Sequence, residues 1–120
     1  CNLTAYRIAL GQVEQARNDA RAGLHWAQEV QNAFQIGLAI HNLALIAALN
    51  NDPRRAAALL GFADSAFGKV EYVREPTETI CYERLMGLLR KQLREDEIAA
   101  MRAEGSSWSE MRAIEEALKV

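Results

Sequence analysis

The chain has 120 residues, half of them hydrophobic, and its 14 Lys and Arg residues against 16 Asp and Glu residues give a formal net charge of −2. This length suits one domain over residues 1–120, able to remove roughly 65% of its unfolded surface from water. The near-neutral balance excludes a global electric field that would attract nucleic acid or a membrane surface.

The two cysteines, Cys1 and Cys81, lie far apart in the sequence and form no Cys-x-x-Cys pair. Unpaired thiols of this kind indicate a reducing compartment, and we expect a cytoplasmic protein. The chain opens on Cys1 in the middle of a helical pattern, without a basic-then-apolar leader, so we expect a fragment of a longer protein. The apolar run from Ile36 to Leu49 is shorter than the roughly 20 residues that cross a bilayer, and no membrane partner is expected.

Only helices are predicted, because Ala, Leu, Glu, Arg and Gln dominate and no stretch alternates with a period of two residues. A first helix is predicted ahead of a turn at Gly11. A second runs from Val13 to Val30, where apolar residues recur at helical spacing. The segment from about Ala33 to Asn50 is apolar nearly all round, which predicts a central helix covered on more than one side. The inward stripe of the second helix is Val13, Ala16, Ala20, Leu24, Ala27 and Val30.

The next helix has a well-marked start, since Asp52 is an N-cap residue and Pro53 suits the first helical position. Pro76 can open a helix that reaches about Lys91 or Leu93, and Glu95 opens another that stops near Gly105. The run Ser107-Trp108-Ser109-Glu110 is a capping-box pattern that predicts the start of a last helix, the seventh. The stripe after Pro53 is Ala56, Leu59, Leu60, Ala63, Ala66, Phe67 and Val70, and Met86, Met101, Met111 and Trp108 are expected in the core or as staple residues.

Sliding the chain by forty residues reveals self-similarity. Asn2-Leu3 then falls on Asn42-Leu43, Gly11-Gln12-Val13 on Asn51-Asp52-Pro53, and Ala16 on Ala56. We therefore predict two copies of a helical hairpin, over about residues 1–30 and 41–70, followed by C-terminal helices over 76–120. Neither copy can bury its apolar face alone, so each is expected to stack on the next.

These residues resemble the tetratricopeptide repeat, which has Asn-Leu-Gly in its first helix, Gly-Asp at the turn and alanines on its second helix. One copy matches through Asn42-Leu43-Ala44, Asn51-Asp52, Ala56 and Ala63, and the other through Asn2-Leu3, Gly11, Ala16 and Leu24. The resemblance implies an all-α superhelix of stacked antiparallel helix pairs. The step of forty residues exceeds the usual 34 and implies longer helices.

A narrower resemblance covers most of the chain. Asp52-Pro-Arg-Arg-Ala-Ala-x-Leu-Leu-Gly61, Tyr82-Glu-Arg-Leu85 and Ala103-Glu-Gly105 look like the C-terminal helical region of large bacterial transcriptional regulators and signalling ATPases. Arg102 departs from that pattern, in which an aromatic residue is common. The resemblance implies a sensory or scaffold segment that binds proteins.

A partner-binding groove is expected on the first helix of each copy, with five candidate residues. In repeats of this type the first helices line the concave side, and Asn can pair with both the N–H and the C=O of an extended peptide. A structural role, in which a buried Asn bonds a neighbouring helix or loop backbone, is favoured over binding, because that is what satisfied core polar groups do. A protein or peptide is the expected partner, and other domains of the same chain or a second copy stay open. The candidates are Asn2, Leu38, His41, Asn42 and Leu45.

The helix around residues 81–94 carries four positive charges on about a third of its surface: Arg84, Arg90, Lys91 and Arg94. A basic amphipathic helix can contact phosphate or an acidic partner, which defines the alternative function of this chain. Against that, the charges can pair with Glu95, Asp96 and Glu97. Nucleic-acid contact is not favoured, because it usually accompanies a net-basic domain with stacking aromatics.

No motif indicates chemistry. Gly61, Gly68 and Gly87 are isolated rather than part of a phosphate-binding loop, and the serines have no nearby His arrangement. His25 and Glu29 share a helical face, but a structural zinc usually needs four ligands. We expect no catalytic residue, no cofactor and no metal.

Overall fold

The structure, a computed structural model, describes residues 7, 8 and 10–120, the side chain of Thr77 excepted. That part of the chain contains six α-helices and no strand, which confirms the prediction of an all-α fold. The predicted helix ahead of Gly11 falls mostly outside the described residues. The helices are α1 (Val13–Glu29), α2 (Ala33–Leu49), α3 (Pro53–Lys69), α4 (Pro76–Gln92), α5 (Glu95–Ser106) and α6 (Glu110–Ala117).

Polar side chains mark the helix starts. The Asp52 carboxylate accepts a hydrogen bond from the amide of Arg55 at 3.4 Å, so the predicted N-cap of α3 is confirmed. Asn32 was not predicted as a cap, but its side chain accepts from the amide of Gln35 at 3.0 Å and caps α2 in the same way. Pro53 and Pro76 stand at the first positions of α3 and α4, where a helix needs no N–H donor.

The predicted start of the last helix at Ser107 is wrong by two residues. Ser107 instead closes α5, where its hydroxyl donates to the carbonyl of Glu104 at 2.7 Å. Ser109 is the N-cap of α6, because its hydroxyl oxygen accepts from the amide of Arg112 at 3.1 Å. The sequence pattern contains two serines. Ser107, the nearer to α5, ends that helix, and Ser109 caps α6.

The same backbone turn recurs every twenty residues. Gly11, Gln31, Asn51 and Glu71 have positive φ angles of 77°, 53°, 61° and 54°. One residue after each, the amide donates to the carbonyl five residues earlier, which is the Schellman motif that ends a helix. These bonds run from Gln12 to Arg7, Asn32 to Ala27, Asp52 to Ala47 and Tyr72 to Phe67, at 2.8, 3.0, 2.9 and 3.0 Å. The predicted step of forty residues is two such steps.

The helix α2 is central, as predicted. It contacts α1, α3, α4 and α6, and every residue from Ile36 to Ala48 is buried. The C-terminal helices do not continue a simple succession of hairpins, because α5 packs along α3 and makes little contact with α4. Glycines allow this approach: a Cβ on Gly61 would lie 2.0 Å from the carbonyl oxygen of Arg102, and one on Gly105 would lie 1.7 Å from that of Ala58.

The core has two parts. The larger one includes Leu24, Leu43, Leu59, Leu85 and Ile114. A smaller one comprises Leu38, Ala63 and Phe67, with Phe34 and Tyr72 packed against them at the end of α3.

Three predicted core residues are exposed instead. Val30 and Val70 are 49% and 57% exposed, since each stands just past the last residue of its helix. Met111 is 67% exposed on the outer face of α6.

Candidate functional site

The predicted groove residues of α2 are buried in the described part of the chain. Leu38 is 9% exposed, His41 3% and Asn42 5%, and Leu45 is fully covered. The fifth candidate, Asn2, lies outside the described residues. The helix therefore offers little surface to an extended peptide as the chain stands, and its polar residues must be explained by their neighbours.

His41 belongs to a polar cluster that we call the Asp64 cluster: His41, Asp64, Arg74, Tyr82 and Arg102. The Asp64 carboxylate is shared by two guanidinium groups, accepting from Arg102 at 2.5 Å and from Arg74. Arg74 also donates from Nε to Nε2 of His41 at 3.3 Å. The cluster therefore links α2, α3, α4 and α5 with the segment between α3 and α4.

Arg74 is held by aromatic rings as well as by charge. Its guanidinium carbon lies 4.3 Å from the ring centre of Tyr82 and 5.4 Å from that of Phe67, both within cation–π range. Beside it, the Tyr72 hydroxyl donates to Glu78, and burial followed by that hydrogen bond raises the pKa of Tyr72 to about 12. The segment from Val70 to Glu75 is thus fastened to α3 and α4 by several side chains.

Burial and charge keep His41 neutral at pH 7. Burial is the larger cause and the neighbouring Arg74 guanidinium the second, and together they lower the pKa of His41 from 6.5 to about 4, although Asp64 acts in the opposite direction. A neutral imidazole can accept the hydrogen bond from Arg74, whereas an imidazolium would present a donor to a donor. The Asp64 cluster is therefore a fixed structural network at neutral pH, with Asp64 between two cations.

The remaining groove candidates fall in different surroundings. Leu38 packs in the smaller core with Phe67, and Leu45 in the larger one. The side-chain nitrogen of Asn42 is buried, and none of the described residues accepts a hydrogen bond from it. The structure therefore does not gather the four residues into one exposed patch.

The prediction that one helix around residues 81–94 carries all four basic residues is wrong for Arg94, because α4 ends at Gln92 and Arg94 is the N-cap of α5. Two of the four residues are also paired with acids. Arg90 pairs with Glu95 at 3.0 Å, and Arg94 pairs with Asp96 at 3.3 Å and with Glu97 at 3.4 Å. These are the three acids that the sequence offered as partners. Glu97 also accepts from the amide of Arg94 at 3.1 Å, and that bond is the leading cause of a lowered Glu97 pKa.

The other two basic residues of this face, Arg84 and Lys91, stand on the exposed side of α4. Arg84 donates to the carbonyl of Ile8 at 3.4 Å. Two of the four basic residues, Arg90 and Arg94, thus form ion pairs with carboxylates, and Glu97 is shared with Arg54 at 2.9 Å. These pairs weaken the positive field that the four residues would present to an acidic ligand.

Sequence reasoning missed Asp64 and Arg74. A signal was present for the first, since Asp64 is the one acid among the seventeen residues of α3 and sits between apolar turns. A carboxylate in such a place needs a partner. For Arg74 the sequence held no signal, because it lies in a polar connection between Glu71 and Glu75. Arg102, noted as a departure from the regulator pattern, turns out to be a partner of Asp64.

The described residues contain neither a metal site nor a membrane-spanning helix. Within residues 7, 8 and 10–120, no three His, Cys, Asp or Glu side chains lie close enough to hold a metal ion. Over the same residues, none of the helices combines the length and the apolar character needed to cross a membrane. Cys81 is buried and unpaired in this part of the chain, and burial raises the pKa of its thiol.

Comparison with known proteins adds no relative: no family model, no curated protein and no solved structure matches the chain. The fold defines an all-α protein with a recurring helix-ending turn. Its function has to be inferred from that fold and its surface.

Proposed function

We propose that the chain is a tetratricopeptide-like helical-repeat module that binds other proteins, as an interaction or regulatory segment of a bacterial multidomain signalling protein or transcriptional regulator. The observation that carries the proposal is the recurrence of one Schellman turn at Gly11, Gln31, Asn51 and Glu71. A chain that repeats one helix–turn unit presents a row of similar helix faces, and proteins built in this way generally use those faces for binding.

The sizes of the helices support the repeat. α1, α2 and α3 have 17 residues each and start twenty residues apart. This regularity agrees with a superhelix of antiparallel helix pairs. In that arrangement α2 and α3 form one pair, and α1 is the second helix of the preceding pair. In this proposal α5 and α6 close the stack, because α5 packs along α3.

Large apolar side chains on the outside also support binding. The side chains of Trp26, Val73 and Ile80 are 53%, 83% and 67% exposed. A Trp side chain that becomes buried when a complex forms often dominates the affinity of a protein interface. The groove expected on α2 contributes less to this proposal, because its residues are covered. Recognition is assigned to the outer faces of the helices instead.

Proximity labelling in the native host, with a biotin ligase fused to the full-length gene product, would collect candidate partners. Each candidate is then titrated against purified residues 1–120 by calorimetry. We expect at least one to bind with one-to-one stoichiometry and to depend little on salt. A salt-steep affinity that is lost when Arg84, Arg90 and Arg94 are changed to Gln would favour the basic face of α4. Failure of every candidate to bind the purified chain would refute the proposal.

A further inference from the structure

The first turn of α2, the C-terminal half of α3 and the turn before α6 surround a cavity of about 210 Å³, which we call the aromatic cavity. Each of the three elements contributes one aromatic side chain to its lining: Phe34, Phe62 and Trp108. Two alanines, Ala33 and Ala66, also line it, and their short side chains leave space between the rings. The lining is therefore mostly apolar, and its largest surfaces are ring faces and edges.

The aromatic walls are held in place by other parts of the molecule. The ring of Phe34 meets the ring of Tyr72 edge-on, with 4.6 Å between their centres. The guanidinium carbon of Arg112 lies 5.2 Å from the ring centre of Trp108, within cation–π range. Phe62 is buried as part of the larger core. Since each ring has such contacts, the cavity is already formed, as is usual for sites that bind small molecules.

The polar groups of the cavity are confined to its exposed edge and carry no net charge. They are Lys69 and Glu110, one of each sign, and Ser109. None of the ion pairs within residues 7, 8 and 10–120 includes Lys69 or Glu110. Lys69 stands in the last turn of α3 and Glu110 in the first turn of α6, where the helix dipoles favour those signs. The two charges therefore have a structural explanation and do not call for a charged ligand.

We propose that the aromatic cavity binds a small uncharged molecule that has an aromatic ring and one N–H or O–H group at its edge. An apolar cavity of about 150 Å³ is large enough for benzene, so this one can hold a somewhat larger ring such as indole. Edge-to-face and offset contacts with the three wall rings favour an aromatic ligand over an aliphatic one of equal size. The Ser109 oxygen accepts one hydrogen bond, from the amide of Arg112, and can accept a second from the ligand.

This site goes beyond the proposed function, because a molecule in the cavity contacts α2, α3 and the turn before α6 rather than the outer faces assigned to protein partners. Its binding would join the turn before α6 more firmly to α3. The two assignments are independent, and each is tested with its own ligand.

Indole is the probe, and calorimetry measures its binding to the 120-residue chain. In the Ala33→Leu variant a larger side chain fills part of the cavity from the exposed first position of α2, without displacing a buried residue. The matched control is Ala99→Leu, the same change at an exposed position of α5 that does not line the cavity. Circular dichroism establishes whether each variant is folded.

We expect one indole per chain with a Kd of about 1 mM or tighter. Binding should be at least about tenfold weaker in Ala33→Leu and unchanged in Ala99→Leu. NMR of the unchanged chain should show nuclear Overhauser effects from indole to the rings of Phe34 and Phe62. Benzyl alcohol should bind more tightly than benzylamine or benzoate, which have the same ring and a charge of either sign.

Three results would overturn the assignment: no saturable indole binding, equal affinity of the chain and its folded Ala33→Leu variant, or Overhauser effects to Trp26 in place of the cavity rings. Tighter binding of benzylamine or benzoate than of benzyl alcohol would show that Glu110 or Lys69 selects a charged ligand, against the proposal. The Overhauser effects are measured on the unchanged chain, so they decide the question even if Ala33→Leu is unfolded. None of these results bears on the proposed function, which fails only if no protein partner binds.

Discussion

Replacing Gly61 or Gly105 with Ala tests how closely α3 and α5 approach. The new Cβ would lie 2.0 Å from the Arg102 carbonyl oxygen in one case and 1.7 Å from the Ala58 carbonyl oxygen in the other. Ordinary C···O contacts are about 3.3–3.6 Å, so the helices must separate by about 1.5 Å. Both obstacles are backbone atoms in helices, which cannot turn aside as a flexible side chain could.

Overpacking of a tight core costs about 1–3 kcal/mol, and separating α3 from α5 also stretches the ion pair between Asp64 and Arg102. The helix propensity of Ala returns about 1 kcal/mol. We therefore expect each variant to lose about 1–2 kcal/mol, with a midpoint of thermal unfolding lower by about 5–10 °C. Urea unfolding followed by circular dichroism measures the free energy.

Two other glycines provide the matched control. Gly68 and Gly87 are helical, and no described atom lies within 4 Å of a Cβ added to either. Their Ala variants should gain up to about 1 kcal/mol from propensity alone. The double variant of Gly61 and Gly105 should lose less than the sum of the two single losses, because the first already separates the helices. Stabilisation of all four single variants alike would refute the close crossing.

Three further predictions concern the polar cluster and the turns. The folded state holds the pKa of His41 at about 4 against about 6.5 when unfolded, so the unfolded state binds the proton more readily. The contribution of His41 to the free energy of unfolding should be fully present above about pH 6.5, and about 3 kcal/mol of it should be lost as the pH falls to about 4. His41→Gln should flatten that decline. Parallel curves of unfolding free energy against pH for the two proteins would contradict the prediction. Asp64→Asn leaves two partly buried guanidinium groups without their carboxylate and should cost about 2 kcal/mol, measured by urea unfolding, whereas Glu95→Gln, which removes an exposed pair with Arg90, should cost about 0.5 kcal/mol or less. An equal cost for both would show that the cluster is solvated like the surface. Gln31→Gly and Glu71→Gly place a glycine where the backbone is left-handed, so each should raise the free energy of unfolding by up to about 1 kcal/mol and raise the melting temperature. Gly11→Ala should lower both quantities, for the same reason. The opposite signs would disprove the turn geometry.

The helices could be predicted from the sequence because their signals are local. Pro53 and Pro76 mark helix starts, and the apolar run before Asn50 can be satisfied only by a helix covered on several sides. The step of forty residues was readable from Asn51-Asp52 and its counterpart at Gly11. Its division into two steps of twenty was not, since Gln31 and Glu71 are not residues that usually adopt a positive φ.

The site could not be predicted to the same degree, because it depends on packing between distant helices. His41 was identified as an unusual polar residue, but its partner Arg74 is 33 positions away, in a connection that no periodicity governs. The crossing of α3 over α5 depends on single glycines at positions 61 and 105, and isolated glycines have many other uses. The groove on α2 was predicted from a resemblance to repeat proteins. That resemblance does not indicate that four other helices cover α2 in this chain.

The central claim is that one helix–turn unit recurs along the chain, and NMR of the uniformly labelled protein tests it most directly. Scalar couplings report the φ angle at Gly11, Gln31, Asn51 and Glu71 and the hydrogen bonds of the amides that follow them. We predict a positive φ at all four positions. We also predict that the amides of residues 12, 32, 52 and 72 each donate to the carbonyl five residues earlier. A negative φ at Gln31 or Glu71, with fast exchange of the next amide, would contradict the recurrence.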